Sequence, residues 1–324
     1  GWGVRKTVNK SMRFPSLPTR HEPSLSPITL LSGLVDSRPG FPYVWDFLKL
    51  KTRSYANFKL TQKWVSYWNS SQIFAEIARS KPFVLKKIYR PYITNRMCCN
   101  DRFNVLTSHY AFIAQHGLGA SILRASNSPV LLAQFSGKSG SSYQIQLLAD
   151  GTLEREGELV LQMVSDEIVL YSVAFTFFAH AGILSIVIGC LQGGRSIDNL
   201  DQIRHATRDL FGLRPKTLLV RLVQQIGHQF GCSDLLLVGN SNRVVSRQFR
   251  KGKVFADYDV TWKELSAERR PDGDFKLPCA LLADPDFQAI ASNKRSEAKK
   301  RFATLTVISQ LTCEGLRSLA DGPV

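Results

Sequence analysis

The chain has 324 residues, 44% hydrophobic and 21% charged, enough for one large domain or two ordinary ones. This composition is that of a globular protein and excludes a wholly disordered chain. The net charge of +16 is unevenly spread, since residues 1–120 hold 18 Lys/Arg against 5 Asp/Glu. This asymmetry indicates an anionic partner such as nucleic acid, acidic lipid or a phosphorylated ligand, unless it marks only a solvated basic surface.

The cysteines indicate a reducing compartment. Six are present, at positions 98, 99, 190, 232, 279 and 313, without C-x-x-C spacing or a histidine pair of zinc-site type. We therefore expect free thiols, no metal and a cytoplasmic location, with attachment to the inner membrane surface left open.

The first third of the chain predicts an arm followed by helices. Residues 1–43 are expected to form an extended arm because the stretch is rich in Pro, Ser and Arg. Residues 44–119 repeat aromatic and aliphatic residues at helical spacing and form a basic helical region. Tyr89 and Tyr92, which could stack on bases, lie among four predicted RNA contacts: Lys86, Lys87, Arg90 and Arg96.

Residues 120–324 predict a sheet with flanking helices. About five or six strand-like segments separated by short polar breaks are typical of a meander. The uncharged run Ile168–Leu191 is long enough to span a membrane. It is rich in β-branched residues and interrupted by His180-Ala181-Gly182, which favours two buried strands instead.

A candidate ligand site follows this run. Gln192, Gly193, Gly194 and Arg195 join an apolar strand to a helix-rich segment and could bind an anion through backbone amides, or form only a turn. Arg204 and Arg208 share one helix face, where their guanidinium groups could bind one phosphate together. The alternative is a solvated face that pairs with Asp201 and Asp209. His205 is the candidate general base.

A second group of polar residues lies further along the chain. Asp257, Tyr258 and Asp259 could accept a proton or hold an amine, or the aspartates could cap a helix that starts at Thr261. Glu154, Glu156 and Glu158 alternate and are expected to face solvent. His109 and Tyr110 are expected to form a core pair.

The elements LQGGRS, FGLRP and DYDVTWKEL resemble the bacterial VirK/YbjX family, over roughly two thirds of the chain from His109 onward. The family's usual Pro-Ser-Lys-Lys-Arg near the end stands here as Ala291-Ser292-Asn293-Lys294-Arg295. The resemblance implies a link to the cell envelope, virulence and resistance to antimicrobial peptides, without an agreed chemistry.

A second resemblance concerns residues 183–255. Strand, QGGRS loop, helix and strand LLLVG are similar to the acyl-CoA half of GNAT-type N-acyltransferases. That resemblance implies pyrophosphate binding by the glycine loop and a role for Asn240 and Asn242 after the second strand. This chain departs from the pattern by an extra helix after the loop.

Together these patterns predict an α+β fold in which a basic helical N-terminal region precedes a mixed, largely antiparallel, GNAT-like sheet with flanking helices (residues 120–324). The expected function is acyl or aminoacyl transfer from an acyl-CoA or aminoacyl-tRNA to an amine of an envelope component or a small molecule. The alternative is a non-enzymatic envelope protein whose basic face binds anionic lipid.

Overall fold

A computed structural model describes residues 26–194, 199–244 and 256–320. Its centre is an eight-stranded sheet in the order β1-β2-β3-β4-β5-β6-β8-β7. The strands are β1 Val130–Ser136, β2 Ser142–Leu148, β3 Leu159–Ser165, β4 Ile168–His180, β5 Ile183–Gly193, β6 Asp234–Leu237, β7 Glu268–Arg269 and β8 Phe275–Pro278. All neighbouring strands are antiparallel except β5 and β6, so the described sheet is mixed and largely antiparallel, as predicted.

The α-helices of the described ranges are α1 Phe41–Ala56, α2 Phe58–Trp68, α3 Gln72–Ser80, α4 Cys99–Gln115, α5 Gly119–Asn127, α6 Asn199–Asp209, α7 Pro215–Gln229, α8 Tyr258–Glu264 and α9 Ser292–Ala320. Local sequence signals set several of their ends. Ser71 accepts a hydrogen bond from the amide of Phe74 and so caps α3. Pro215 occupies the first turn of α7, where its missing N–H costs no helical hydrogen bond.

The apolar run Ile168–Leu191 forms two strands, as predicted. Its first half is β4, and its second half runs antiparallel to it as β5. Ala181 (φ +49°) and Gly182 (φ +76°) make the tight turn between them. Across the described ranges, no helix is both long and apolar enough to cross a bilayer.

The two faces of the sheet are covered by different helices, because successive strand residues point to opposite sides. Ile186 and Ile188 of β5 pack in one core, and α5, α7 and α9 contribute to it. Val187 packs in the other core with Trp64 and Trp68 of α2. The result is a three-layer α+β architecture in which the basic helical region forms one layer.

The predicted arm and domain boundaries remain predictions. Residues 1–25 of the arm lie outside the described residues. Within its described part, Leu30–Leu34 forms a 3-10 helix, and Ile28 and Leu34 are buried in the helical core.

Candidate functional site

The sheet opens between β5 and β6, its only parallel neighbours in the described strands. Three residue pairs hold them together, from Ile186–Leu235 to Ile188–Leu237, and the amide of Val238 then donates to the carbonyl of Ile188 (3.2 Å). Beyond this point β5 continues beside β4 to Gly193, whereas β6 has ended. The opening lies at the carboxyl ends of both strands, where α/β sheets commonly bind ligands.

A bulge in β5 brings a loop against this opening. Ala174 pairs with Cys190 and Phe175 with Ile188, so Gly189 is the extra residue. A Cβ atom at position 189 would lie 2.0 Å from the carbonyl oxygen of Glu156. Gly189 therefore allows the segment before β3 to approach the backbone of β5, which places Glu156 beside the opening.

Four residues lie around the opening, and we call them the Tyr258 cluster: Glu156, Cys190, Arg243 and Tyr258. Glu156 approaches through its backbone at Gly189, and its carboxylate interacts electrostatically with Cys190 and Arg243. The amide of Leu191 donates to the Tyr258 hydroxyl (2.9 Å), which lies 3.4 Å from the sulfur of Cys190. The guanidinium carbon of Arg243 lies 3.7 Å from the centre of the Tyr258 ring. A phenol hydroxyl thus sits next to a backbone N–H of a central strand.

The environment of the Tyr258 cluster sets its acid–base properties. Burial raises the pKa of the Cys190 thiol to about 12 and the pKa of the Tyr258 phenol well above its usual value. Burial also raises the pKa of Glu156, although Arg155 and Arg243 oppose this. At neutral pH the thiol and phenol keep their protons, and Glu156 is the group of the cluster suited to accept one.

The turn after β6 holds Tyr258 in place. The Asn240 side chain donates to the Asp257 carboxylate (2.7 Å) and accepts from the backbone amide of Tyr258 (2.9 Å). The backbone amide of Asn240 donates to the Asp259 carboxylate (2.8 Å). Asp257 also accepts from the amide of Val260 (3.1 Å) and caps α8. Asp257 is therefore the N-cap of α8, which begins at Tyr258 and not at Thr261.

Asn242 has a structural position. It is buried, and its side-chain amide donates to the carbonyl of Asp272 (2.9 Å) and to a carboxylate oxygen of Asp274 (2.8 Å). The amide of Gly239 donates to the same Asp274 oxygen (2.9 Å). These bonds join the turn to the β7–β8 hairpin and leave the side-chain nitrogen of Asn242 committed within the protein.

The glycine loop differs from the anion cradle that the sequence predicts. Gly193 is still part of β5 and pairs with Tyr171, and the amide of Gly194 donates to the carbonyl of Leu170 (3.0 Å). Because β4 binds this amide, Gly194 cannot offer it to a ligand, which corrects the prediction for that residue. Gln192 is half-buried in β5, and Arg195 lies outside the described residues.

Helix α6 lies away from the opening. The His205 ring nitrogen is 3.3 Å from the Ser141 hydroxyl at the β1–β2 hairpin. The structure thus separates His205 from Asp257, Tyr258 and Asp259, and it does not bring the four predicted catalytic residues together.

The arginines of α6 are exposed. Arg204 pairs with Asp201 (3.2 Å), and both side chains are mostly exposed (70% and 88%), as the solvated interpretation predicts. Arg208 is exposed too, whereas Asp209 is buried and accepts from the Tyr143 hydroxyl (2.8 Å).

Two of the predicted RNA contacts line a basic cavity. Lys86 and Arg90 surround a space of about 270 Å³ together with Lys49, Arg53 and Arg155. Arg90 is paired with Glu154 (3.1 Å), and Asp46 is the one acidic residue of the lining. Arg155 of this lining directly precedes Glu156 of the Tyr258 cluster in the chain. Outside this cavity, Arg96 is exposed and donates to the carbonyl of Asp272 (2.9 Å).

Lys87 belongs instead to a buried ion network, which we call the Glu158 cluster: Lys81, Lys87, Tyr92, Tyr110 and Glu158. Both ammonium groups bind the Glu158 carboxylate, as do both phenols, and all five residues are at most 2% exposed. Burial alone would raise the pKa of Glu158, but Lys87 and Lys81 outweigh it and hold that pKa well below its usual value.

The Glu158 cluster corrects two expectations. Lys87 cannot contact RNA because its ammonium is enclosed, and Glu158 does not face solvent. His109 and Tyr110 are both buried, which confirms the expected core pair. His109 accepts from the amide of Phe177 (3.1 Å), and burial lowers its pKa to about 3.

Sequence reasoning missed the importance of Gly189, Glu156 and Cys190. Gly189 lies inside an apolar strand, where an isolated glycine is a sign of a bulge or a close backbone contact. That signal could have located the opening. The approach of Glu156 from another loop left no sign in the sequence.

Comparison with known proteins gives the family. The model of a family described as a protein of unknown function, DUF535, matches residues 40–314. The chain belongs to this family. The resemblance to VirK/YbjX is confirmed by the uncharacterized protein YbjX of Escherichia coli K12, which is 27% identical over 88% of this chain and 89% of its own length. An uncharacterized protein of Haemophilus influenzae is 22% identical over 86% of this chain and 92% of its own length.

Solved structures give a more distant similarity for this DUF535 chain. A cAMP-binding acyltransferase from Mycobacterium smegmatis aligns at 11% identity and a TM-score of 0.26, over 67% of this chain and 61% of that one. A mutant form of the same acyltransferase aligns at 10% identity and a TM-score of 0.24, over 66% of this chain and 63% of that one. The chain thus covers less than two thirds of these proteins, and scores this low do not establish a common fold.

Proposed function

We propose that the protein is an acyl-type transferase that binds an activated acyl or aminoacyl donor at the opening between β5 and β6. The observation that carries the proposal is the parting of these two parallel strands directly beside the Tyr258 cluster. An acyl carbonyl placed there would meet the amide of Leu191, since a backbone N–H is a suitable donor to a carbonyl oxygen that gains negative charge during transfer. The amide of Leu191 donates to the Tyr258 hydroxyl in the structure. When a donor binds, this hydroxyl would leave the amide and turn toward the leaving group.

The Tyr258 cluster contains the proton acceptor and donor that acyl transfer needs. The acceptor's amine nitrogen attacks the acyl carbon, so a C–N bond forms while the donor's C–S or C–O bond breaks. Glu156 takes the proton that the amine loses. Tyr258 gives its proton to the leaving sulfur or oxygen, and the proton held by Glu156 then returns to Tyr258, which restores both groups. The raised pKa of Glu156 strengthens this carboxylate as a proton acceptor, and the raised pKa of Tyr258 keeps the phenol protonated before transfer.

The basic cavity supports a donor that carries phosphate. Lys86, Arg90 and Arg155 line it. Arg155 is the residue next to Glu156 of the Tyr258 cluster in the sequence. We propose that a donor with its phosphates in the cavity extends its acyl end toward the opening. Coenzyme A esters and aminoacyl-tRNA share this chemistry, and Lys and Arg suit both. Lys86 and Arg90 thus keep their proposed role as phosphate contacts.

The test compares donors and two matched tyrosine variants. Titration calorimetry with acetyl-CoA, palmitoyl-CoA and aminoacyl-tRNA should give binding for at least one donor. Transfer to a panel of primary amines is then followed by mass spectrometry. Tyr258→Phe should lower the transfer rate by about 10²-fold, the usual range for a lost acid–base group, with little change in donor affinity.

The control is Tyr143→Phe, which removes a phenol that is hydrogen-bonded to Asp209 near the opposite edge of the sheet. It should leave transfer unchanged. Absence of binding by all three donors, or equal loss of transfer in both tyrosine variants, contradicts the proposal.

A further inference from the structure

Helix α1 exposes an unusual set of large side chains. Phe41, Trp45, Leu48 and Tyr55 are 80%, 51%, 48% and 84% exposed, and Val44 is 51% exposed. By contrast, Leu50 on the same helix is buried in the helical core. Exposed aromatic and aliphatic residues concentrated on one helix mark an interaction surface, whereas isolated ones are common on any protein.

These residues form one continuous stripe. Successive helical residues are turned by about 100°, so positions 41, 44, 45, 48 and 55 fall within an arc of about 100°. Thr52 also lies in this arc, and its hydroxyl donates to the carbonyl of Leu48 (2.8 Å), which satisfies its polar atom within the helix. We call this arc the α1 stripe.

Basic residues border the α1 stripe on both sides. Lys49 and Lys51 are exposed and lie about 80° from its centre in opposite directions. The ammonium of Lys49 lies 4.9 Å from the centre of the Trp45 ring. Residues 41–68 contain five Lys/Arg and a single acid, Asp46. An apolar stripe with lysines on both flanks is the arrangement of helices that lie in the surface of an anionic bilayer.

We propose that α1 binds the surface of an anionic lipid bilayer, with its stripe inserted among the acyl chains near the head groups and Lys49 and Lys51 on lipid phosphates. Trp45 and Tyr55 suit this depth because their rings are apolar and carry a polar atom. Lys49 also lines the basic cavity, whereas the residues of the α1 stripe take no part in the reaction proposed for the Tyr258 cluster. Binding through α1 would hold the enzyme at a membrane surface.

Two other occupants fit the surface less well. RNA can stack on Trp45 or Tyr55, but it offers no apolar interior for Val44 and Leu48. A second copy of the chain would bring two sets of lysines together, and like charges across an interface are unfavourable. A bilayer of anionic lipid satisfies both the aliphatic residues and the charge.

The test is flotation of the full chain with vesicles of phosphatidylglycerol and phosphatidylethanolamine, and with phosphatidylcholine vesicles. We expect binding to the anionic vesicles and weak binding to the neutral ones. Leu48→Asp should lower the partition coefficient at least about tenfold, because an apolar side chain is lost from the lipid and a charge gained. Leu281→Asp, at a 73% exposed leucine outside the stripe, is the matched control and should bind as the unaltered chain does.

Charge and depth have separate readouts. Lys49→Gln with Lys51→Gln should weaken binding about fivefold for each lysine, whereas Lys299→Gln with Lys300→Gln should not. Brominated lipid should quench fluorescence in a Trp2→Phe chain and not in Trp2→Phe with Trp45→Phe, since the three remaining tryptophans, Trp64, Trp68 and Trp262, are fully buried.

Several results would overturn the proposal: no vesicle binding, binding to tRNA in its place, or equal losses in Leu48→Asp and Leu281→Asp. A dimer of the unaltered chain that dissociates in Leu48→Asp would assign the stripe to a contact between two copies and so overturn it too.

Discussion

The Glu158 cluster gives the sharpest prediction about stability. Glu158→Gln keeps the shape of the side chain but removes the one carboxylate that faces the ammonium groups of Lys81 and Lys87. Both lysines are at most 2% exposed, so water cannot replace the lost partner. Removal of one partner from a buried ion pair costs about 3–5 kcal/mol, and we expect a loss of that size in the free energy of unfolding.

The same loop supplies a matched control. Glu154→Gln removes a carboxylate that pairs with Arg90, but these side chains are 23% and 30% exposed. Partly exposed pairs contribute about 1 kcal/mol or less, so this variant should be nearly as stable as the unaltered chain.

Urea unfolding followed by tryptophan fluorescence measures both variants. Adding Lys87→Met to Glu158→Gln should recover part of the lost stability, because one unpaired ammonium is removed with it. Equal effects of the two glutamine substitutions, or a further additive loss in the double variant, would contradict the pairing of Glu158 with the buried ammonium groups.

Three more predictions concern single sites. Gly189→Ala should lower the free energy of unfolding in urea titration by about 2 kcal/mol or more, because its Cβ would lie 2.0 Å from the carbonyl oxygen of Glu156. A change below about 0.5 kcal/mol would argue against the bulge. Arg204→Gln should change the free energy of unfolding by less than about 0.5 kcal/mol, since the ion pair of Arg204 with Asp201 is exposed, and it should leave donor affinity unaltered. Weakened donor binding in calorimetry would restore the predicted phosphate contact of Arg204. Burial lowers the pKa of Lys81 from 10.5 to about 8, so between these pH values the Lys81 amine is protonated in the unfolded chain and neutral in the folded one. The free energy of unfolding should therefore rise as pH increases from about 8 to about 10. A Lys81→Met variant that kept the same rise in urea titrations would contradict this assignment.

The sequence predicts those features of the fold that depend on local pattern. The β-branched run with His180-Ala181-Gly182 at its centre predicts two buried strands, because the break divides it into halves of strand length, and the structure forms β4 and β5 there. The four-residue spacing of Leu218, Leu222 and Ile226 likewise predicts the apolar face of α7, and all three pack in the main core.

Features that depend on distant contacts could not be predicted in the same way. Glu158 reads as one of three alternating glutamates, and its burial results from lysines more than 70 residues earlier in the chain. Gly194 reads as part of a phosphate-binding turn, but β4 is long enough to bind its amide. The polar neighbours of Tyr258 mark it as a candidate, whereas its contact with Leu191 depends on where two strands part.

Photocrosslinking can locate donor binding between β5 and β6. An acyl-CoA with a diazirine in its acyl chain is bound to the full chain and irradiated, and labelled peptides are identified by mass spectrometry, with excess unlabelled donor as competitor. We predict competed labelling within residues 189–193 of β5 and at Tyr258. Competed labelling confined to α6 around His205, with none at β5 or α8, would contradict it.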